Sequence, residues 1–176
     1  MLVIRGRLHE GAALSLFAVK KEKITLLAES EPFGRSNRWL NPVGVADFDG
    51  DRRQEIAAVL TPHIGGTLTL YEMKGRRLVP KARAGGFSNH AIGSRNLDLS
   101  ALLDANGDGV TDMAVPDDSR ETLRIVTFAG GRFRELKTMP NRAEITAGIL
   151  KTRLPGTGNA ALIYALENRG VVLLFQ

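Results

Sequence analysis

Two acidic loops at a fixed interval constrain this chain more than any other feature. The first reads Asp47-Phe48-Asp49-Gly50-Asp51-Arg52-Arg53-Gln54-Glu55, and the second Asp104-Ala105-Asn106-Gly107-Asp108-Gly109-Val110-Thr111-Asp112; their opening aspartates stand 57 residues apart. Both place oxygen side chains at positions 1, 3, 5 and 9. A hard divalent cation such as Ca²⁺ takes six or more oxygens, and alternate residues of a tightly curled loop can point inward to supply them. The candidate ligands are Asp47, Asp49, Asp51, the Arg53 carbonyl and Glu55, then Asp104, Asn106, Asp108, the Val110 carbonyl and Asp112. Carboxylates this close repel one another without a cation. The same Asp, Asn and Gly content also favours plain turns that need no metal. The spacing predicts one or two bound Ca²⁺ ions; ligand type alone does not separate Ca²⁺ from Mg²⁺ or Mn²⁺, though flexible carboxylate-rich loops favour the larger ion.

An EF-hand opens in the same way but ends on a glutamate at position 12 and lies between helices. Position 12 here is Ala58 in one loop and Val115 in the other. The flanking segments are short runs of small and β-branched apolar residues, 43–46 and 56–60 around the first loop, 102–103 and 113–115 around the second. Runs of this length bounded by turn residues read as buried strands. Each loop therefore joins two strands of a hairpin.

Residues 2–17 align without a gap onto 56–71, setting His9 on His63, Gly11 on Gly65, Leu14 on Leu68 and Phe17 on Tyr71. A third copy spans 113–126 and a fourth 162–175, and Arg38 and Leu40 match Arg95 and Leu97 at the loop interval. A degenerate loop over 148–159 keeps glycines but no carboxylate, and is expected to bind no metal. One unit holds four short strands, for example 42–47, 55–60, 67–73 and 78–83. No sustained helical apolar stripe intervenes. Four antiparallel strands per repeat of roughly fifty residues predict an all-β, β-propeller-like array of four-stranded antiparallel blades. A β-sandwich is the alternative, although sandwiches seldom repeat their sequence this closely.

The residues Asp47-Phe48-Asp49-Gly50-Asp51 with Glu55-Ile56-Ala57, and Asp104 to Gly109 with Asp112-Met113-Ala114-Val115-Pro116, resemble the FG-GAP (VCBS-like) repeat family, the blades of integrin α-subunit propellers. A Phe33-Gly34 pair lies just upstream of the first loop. The resemblance implies a propeller, Ca²⁺ in the loops, and a binding or scaffolding role, without naming a ligand. Arg52 in place of glycine and the carboxylate-free third loop depart from the family pattern.

Mapped on that fold, the strand before each metal loop is the innermost of its blade. The chain then forms one repeat domain, 1–176, with a partial blade at 1–30, complete blades at 38–84 and 95–139, and a partial blade at 145–176. Three readings of the ends stay open: part of a larger propeller of about seven blades, a compact four-blade arrangement, or a self-associating half. The first is expected. Partial blades that do not close leave edges and faces that invite pairing.

The net charge of +5 concentrates in one repeat-equivalent hairpin: Lys20, Lys21 and Lys23; Lys74, Arg76 and Arg77; Arg132 and Arg134. Such hairpins read as solvated turns that protect sheet edges, or as a basic rim for an anionic surface or polymer. Nucleic acid is a weak candidate, because aromatic residues do not interleave with the basic ones as a stacking platform requires. No apolar run reaches the ~18 residues of a membrane span. The N-terminal residues lack the long apolar stretch of a signal peptide. Cysteine is absent, which excludes disulfides and thiol chemistry. Loops of this kind fill where calcium is abundant, so an extracytoplasmic location is expected.

An enzyme is the competing class. The chain contains no nucleophile elbow, phosphate loop or His-Glu-x-x-His helix. His9 and His63 read as repeat residues and His90 as a loop residue. The expectation is a non-catalytic, calcium-stapled binding or scaffold module for protein or carbohydrate. A structural spacer, or an accessory propeller attached to a secreted hydrolase or lyase, is the alternative. In the resembling family, partners engage the face away from the calcium loops; here that face carries 30–38, 61–66, 83–95 and 117–121. Arg38 and Arg95, with Trp39 nearby, are candidates to line a central channel, or else to cap strands and pair with acids.

Overall fold

The computed structural model describes residues 1–35, 38–154, 160–167 and 169–174. All regular elements among them are strands, fourteen in number. Residues before the first loop form β1 (Leu2–Arg7), β2 (Gly11–Lys20), β3 (Lys23–Ser30) and β4 (Leu40–Ala46). Between the loops lie β5 (Glu55–Leu60), β6 (Thr67–Lys74), β7 (Arg77–Gly85) and β8 (Ala101–Leu103). After the second come β9 (Asp112–Pro116), β10 (Thr122–Thr127), β11 (Arg134–Pro140), β12 (Leu150–Arg153), β13 (Ala160–Leu166) and β14 (Arg169–Leu174). The strands group into antiparallel meanders of three, four, four and three, and each acidic loop joins the first two strands of a four-stranded meander.

The repeat is visible in the backbone irregularities as well as the strands. A register shift falls between Leu16 and Phe17, between Leu70 and Tyr71, and between Ile125 and Val126. Phe17 and Tyr71 are the residues that the sequence alignment superimposes. Opposite each shift one residue is skipped by the ladder: Leu27, Lys81 and Leu136. A bulge of this kind turns a side chain out of the strict alternation.

The meanders stack face to face, because their buried strands send alternate side chains to opposite sides. In β5, Ile56, Ala58 and Leu60 pack toward β1–β3, whereas Ala57 and Val59 pack toward β9 and β10. In β9, Met113 and Val115 join that second core, and Ala114 joins a third, shared with Leu162, Tyr164 and Leu166 of β13. Every residue of β5 and β9 is buried. This accounts for their continuous apolar runs: a strand covered on both faces has no polar side. Each fully buried large apolar side chain contributes about 1.5–3 kcal/mol.

β1–β3 is not a separate sheet. β3 pairs in parallel with β7 through Glu29 with Arg77 and Ser30 with Leu78, so seven strands run in the order β1-β2-β3-β7-β6-β5-β4. Face-to-face packing brings the two last strands together, and their edges meet for two residues. β1–β3 carry an outward charged cluster beside exposed Val19, Ile24 and Leu27. Glu29 there accepts from Ser15 Oγ at 2.6 Å and from Arg5 at 2.7 Å, and also pairs with Arg7. On the last meander, β12–β14, Leu150 and Ile163 are exposed.

The opening strands of the meanders lie side by side, β4 near β8 and β8 near β12. A Cβ on Gly44 of β4 would press into the Leu102 side chain of β8. Two asparagines fasten the entry to these strands. Asn41 Nδ2 donates to the Asn89 and Leu97 carbonyls at 3.1 and 2.8 Å, and Asn89 Nδ2 donates to the Asn41 and Pro42 carbonyls at 3.3 and 3.2 Å.

Candidate metal centre

The two acidic loops fold alike, hydrogen bond for hydrogen bond. The carboxylate at position 1 accepts from the amides at positions 4 and 6: Asp47 from Gly50 and Arg52 at 2.7 and 2.8 Å, Asp104 from Gly107 and Gly109 at 2.8 and 3.0 Å. Position 3 accepts from position 5, Asp49 from Asp51 and Asn106 from Asp108. Position 5 accepts from position 7, Asp51 from Arg53 and Asp108 from Val110, both at 2.8 Å. Position 9 reaches back to position 2: Glu55 takes the Phe48 amide at 3.0 Å and Asp112 the Ala105 amide at 2.8 Å. Short polar side chains curl the backbone in this way by capturing amides two to five residues on. Gly50 and Gly107 supply left-handed turns at φ +84° and +77°. Position 6 also needs positive φ; Gly109 adopts +81°, and Arg52 is held at +69° despite its Cβ.

The loops sit against one another. The Asp47 carbonyl accepts from the Thr111 amide at 3.4 Å, and the Asp49 carbonyl from the Gly130 amide at 3.4 Å. They form one end of the stack. By strand alternation, the residues before β4, between β5 and β6, and between β7 and β8 form the other.

The interiors of the loops differ. In the second, Asp112 is fully buried, and its Oδ1 makes no hydrogen bond of normal geometry, although the Thr127 side chain lies close enough to act on the carboxyl. Burial pushes this carboxyl above the usual range, and Asp108 and Asp104 push it further; the Ala105 amide and the nearby Thr127 side chain pull the other way. Asp108, at the exposed rim, is held low by the Val110 amide and Asn106. A buried acceptor facing two more carboxylates suits a cation bound by oxygens. Asp104, Asn106, Asp108 and Asp112, with the Val110 carbonyl, are the oxygens this loop offers, although its carboxylates do not gather as closely as those of the first loop.

The first loop brings carboxylates closer together. Oxygens of Asp47, Asp49 and Glu55 lie within 4.8 Å of one another, a grouping that could hold a metal ion. A side chain from outside the loop meets them. Lys81, the skipped residue of β7, pairs its Nζ with Asp49 and places it 3.4 Å from Glu55 and 3.9 Å from Asp51. Burial pushes Glu55 above its usual value, and neighbouring Asp49 adds to the rise against the Phe48 amide and Lys81. Burial acts on Asp49 in the same sense but is outweighed by Lys81 and the Asp51 amide, so Asp49 lies low. The same pairing raises Lys81 against its own desolvation. The cation in contact with these carboxylates comes not from Arg52 within the loop but from Lys81 of β7. Its signal in the sequence is faint: a lysine at the bulge position where the sister repeats carry leucines, Leu27 and Leu136. The degenerate loop at 148–159 falls partly outside the described residues.

At the other end of the stack, Trp39, His63 and His90 converge. Trp39 stacks on His63 at 5.8 Å between ring centroids, 11° from parallel, and meets His90 edge-on at 4.5 Å. His63 Nδ1 donates to the His90 carbonyl at 3.2 Å, and His90 Nε2 to the Ser94 carbonyl at 3.1 Å. Burial lowers the His90 pKa, with Ser94 opposing and His63 and Arg120 adding to the effect. Both histidines are thus anchored by main-chain carbonyls. Ile64 and Ile92 on the same loops are 79% and 83% exposed. Arg38 and Arg95 are exposed, and Arg38 lies over the Phe33 ring at 5.9 Å. No helix among the described residues is long and apolar enough to cross a membrane.

No known family and no curated protein matches this chain.

Proposed function

We propose that this chain is a run of β-propeller blades stapled by calcium, serving as a non-catalytic binding module for a protein or carbohydrate partner. The observation that carries the reading is the second loop: its hydrogen-bond ladder curls Asp104, Asn106 and Asp108 into one short turn with Asp112, whose Oδ1 is buried without a hydrogen bond of normal geometry. A bound ion supplies the charge that the loop lacks. The four-stranded meanders, their matched bulges, and the side-by-side opening strands support blades arranged around an axis.

The partner surface in this reading is the end away from the loops. Half-buried Trp39 and His63, backed by the buried His90, lie there beside exposed Ile64 and Ile92. Exposed apolar side chains on loops held by a rigid sheet stack suit recognition. The basic hairpins lie at the opposite end, beside the metal loops, and offer a second contact for an anionic surface. A high-calcium, extracytoplasmic setting follows from the same reading.

The test is a thermal melt of the chain in EDTA and in millimolar Ca²⁺, with Asp104→Ala and Asp108→Ala alongside. An ion that binds only the folded state raises the midpoint by linkage. A rise in the parent chain that vanishes in both variants supports the staple. The same midpoint with and without Ca²⁺ in the parent chain refutes it. For the partner surface, Trp39→Ala should abolish saturable binding on a glycan or protein array while leaving the calcium response intact.

A further inference from the structure

We infer that the first loop is closed by an internal cation: the Lys81 ammonium takes the place of a divalent ion, so this loop excludes calcium. The inference concerns the first loop alone and stands or falls apart from the reading of the second.

Three observations carry it. Lys81 Nζ pairs with Asp49 and lies 3.4 Å from Glu55, two of the three residues whose oxygens cluster within 4.8 Å. An ion bound by that cluster would sit next to the ammonium, and two cations at such a separation repel strongly in a partly buried site. Lys81 is also tethered. Its position is the bulge of β7, its side chain is 23% exposed, and its ammonium is held by Asp49 and Glu55. Swinging out to admit an ion would strip the ammonium from Asp49 and Glu55. Finally, the position is singular within the repeat. The skipped residues of the sister meanders are Leu27 and Leu136, and the second loop, whose meander carries Leu136, is the one with a buried carboxylate oxygen that makes no hydrogen bond of normal geometry. Lysine is where the carboxylates are satisfied, and leucine is where one is not.

The residues of the first loop therefore do not fit the resident ion that its motif suggests. A lysine ammonium is a compact point charge with three donors, able to bridge carboxylates much as a metal would. It needs no free calcium and does not wash out.

The test is calorimetric titration of the full chain with CaCl₂, using the parent, Lys81→Leu, Asp108→Ala and the double variant. Leucine is the choice because the equivalent position already holds it. Where the second loop binds, the parent should take one ion, Asp108→Ala none, Lys81→Leu two, and the double variant one. Asp108→Ala retaining an ion that Asp49→Ala removes would overturn the inference. So would a double variant that binds none. If the parent binds none while Lys81→Leu binds one, the second-loop reading fails and this one holds. Lys81→Arg preserves the internal cation and should titrate like the parent. Lys81→Gln is the second removal variant, should the leucine chain fail to fold. In EDTA the removal variants should melt below the parent, and Ca²⁺ should restore them; a midpoint indifferent to Ca²⁺ would also count against the inference.

Discussion

Replacing Asp112 by asparagine separates charge from shape at the heart of the second loop. The residue is 0% exposed; Oδ2 accepts the Ala105 amide at 2.8 Å, while Oδ1 makes no hydrogen bond of normal geometry, with the Thr127 side chain nearby. Asparagine keeps an acceptor for that amide, removes the charge, and offers an N–H₂ toward the Asp104 and Asp108 side. Relieving an unsatisfied buried group is worth about 1–3 kcal/mol, more for a charged one. For a chain of this size each kcal/mol moves the midpoint by roughly 2–4 °C. Asp112→Asn should therefore melt roughly 2–12 °C above the parent in EDTA at neutral pH. In Ca²⁺ the order should reverse. An ion at 100 times its Kd adds about 2.7 kcal/mol to the parent, and the variant, lacking a charged ligand, should gain little. Differential scanning calorimetry at matched pH reads both arms. A variant that melts lower than the parent in EDTA would refute the reasoning, since Asp112 would then be satisfied without an ion.

Removing the first sheet-entry clamp by Asn41→Ala strands the Asn89 and Leu97 carbonyls and should cost about 1–3 kcal/mol in a urea melt. Gly66→Ala should cost at least as much, ~1–3 kcal/mol or more, because a Cβ there would overlap the Phe87 carbonyl oxygen, which cannot move without shifting backbone; near-parental stability would mean that this approach is looser than described. Asp112 and Glu55 both have folded pKa values raised above 3.8 and 4.5. The ion-free folded state then holds protons that the unfolded chain has released, so stability falls as pH rises through the window opening at those values. Asp49 is lowered, so its contribution is present above 3.8 and lost as pH falls below it. Melts in EDTA across this range should show the fall, and Asp112→Asn should reduce it. Calcium affinity should rise over the same window, because the ion displaces a proton.

The strand order along the chain was legible in the sequence because each segment carries its own period and its own turn residues. The alignment of Phe17 with Tyr71 was legible too, but the bulges that fall at these residues were not read from it. The curl of both loops was equally legible: Asp and Asn capture amides within the same short segment. Lys81 was not. It joins the first loop from 26 residues beyond Glu55, across two hairpins, and no local pattern reports that approach. The parallel meeting of β3 and β7 was hidden for the same reason, since it depends on how two faces pack. The Trp39, His63 and His90 cluster gathers residues 24 and more positions apart with no shared local pattern, because three separate loops end at one place on the stack.

The most direct test of the central claim is a crystal structure grown in calcium, with anomalous difference maps to locate the ion. The account predicts one peak in the second loop, within about 2.3–2.6 Å of oxygens from Asp104, Asn106, Asp108 and Asp112 and of the Val110 carbonyl. It also predicts Lys81 Nζ, and no peak, beside Asp49 and Glu55. A second loop without a peak at saturating calcium would contradict the staple, and a peak displacing Lys81 would contradict the internal cation.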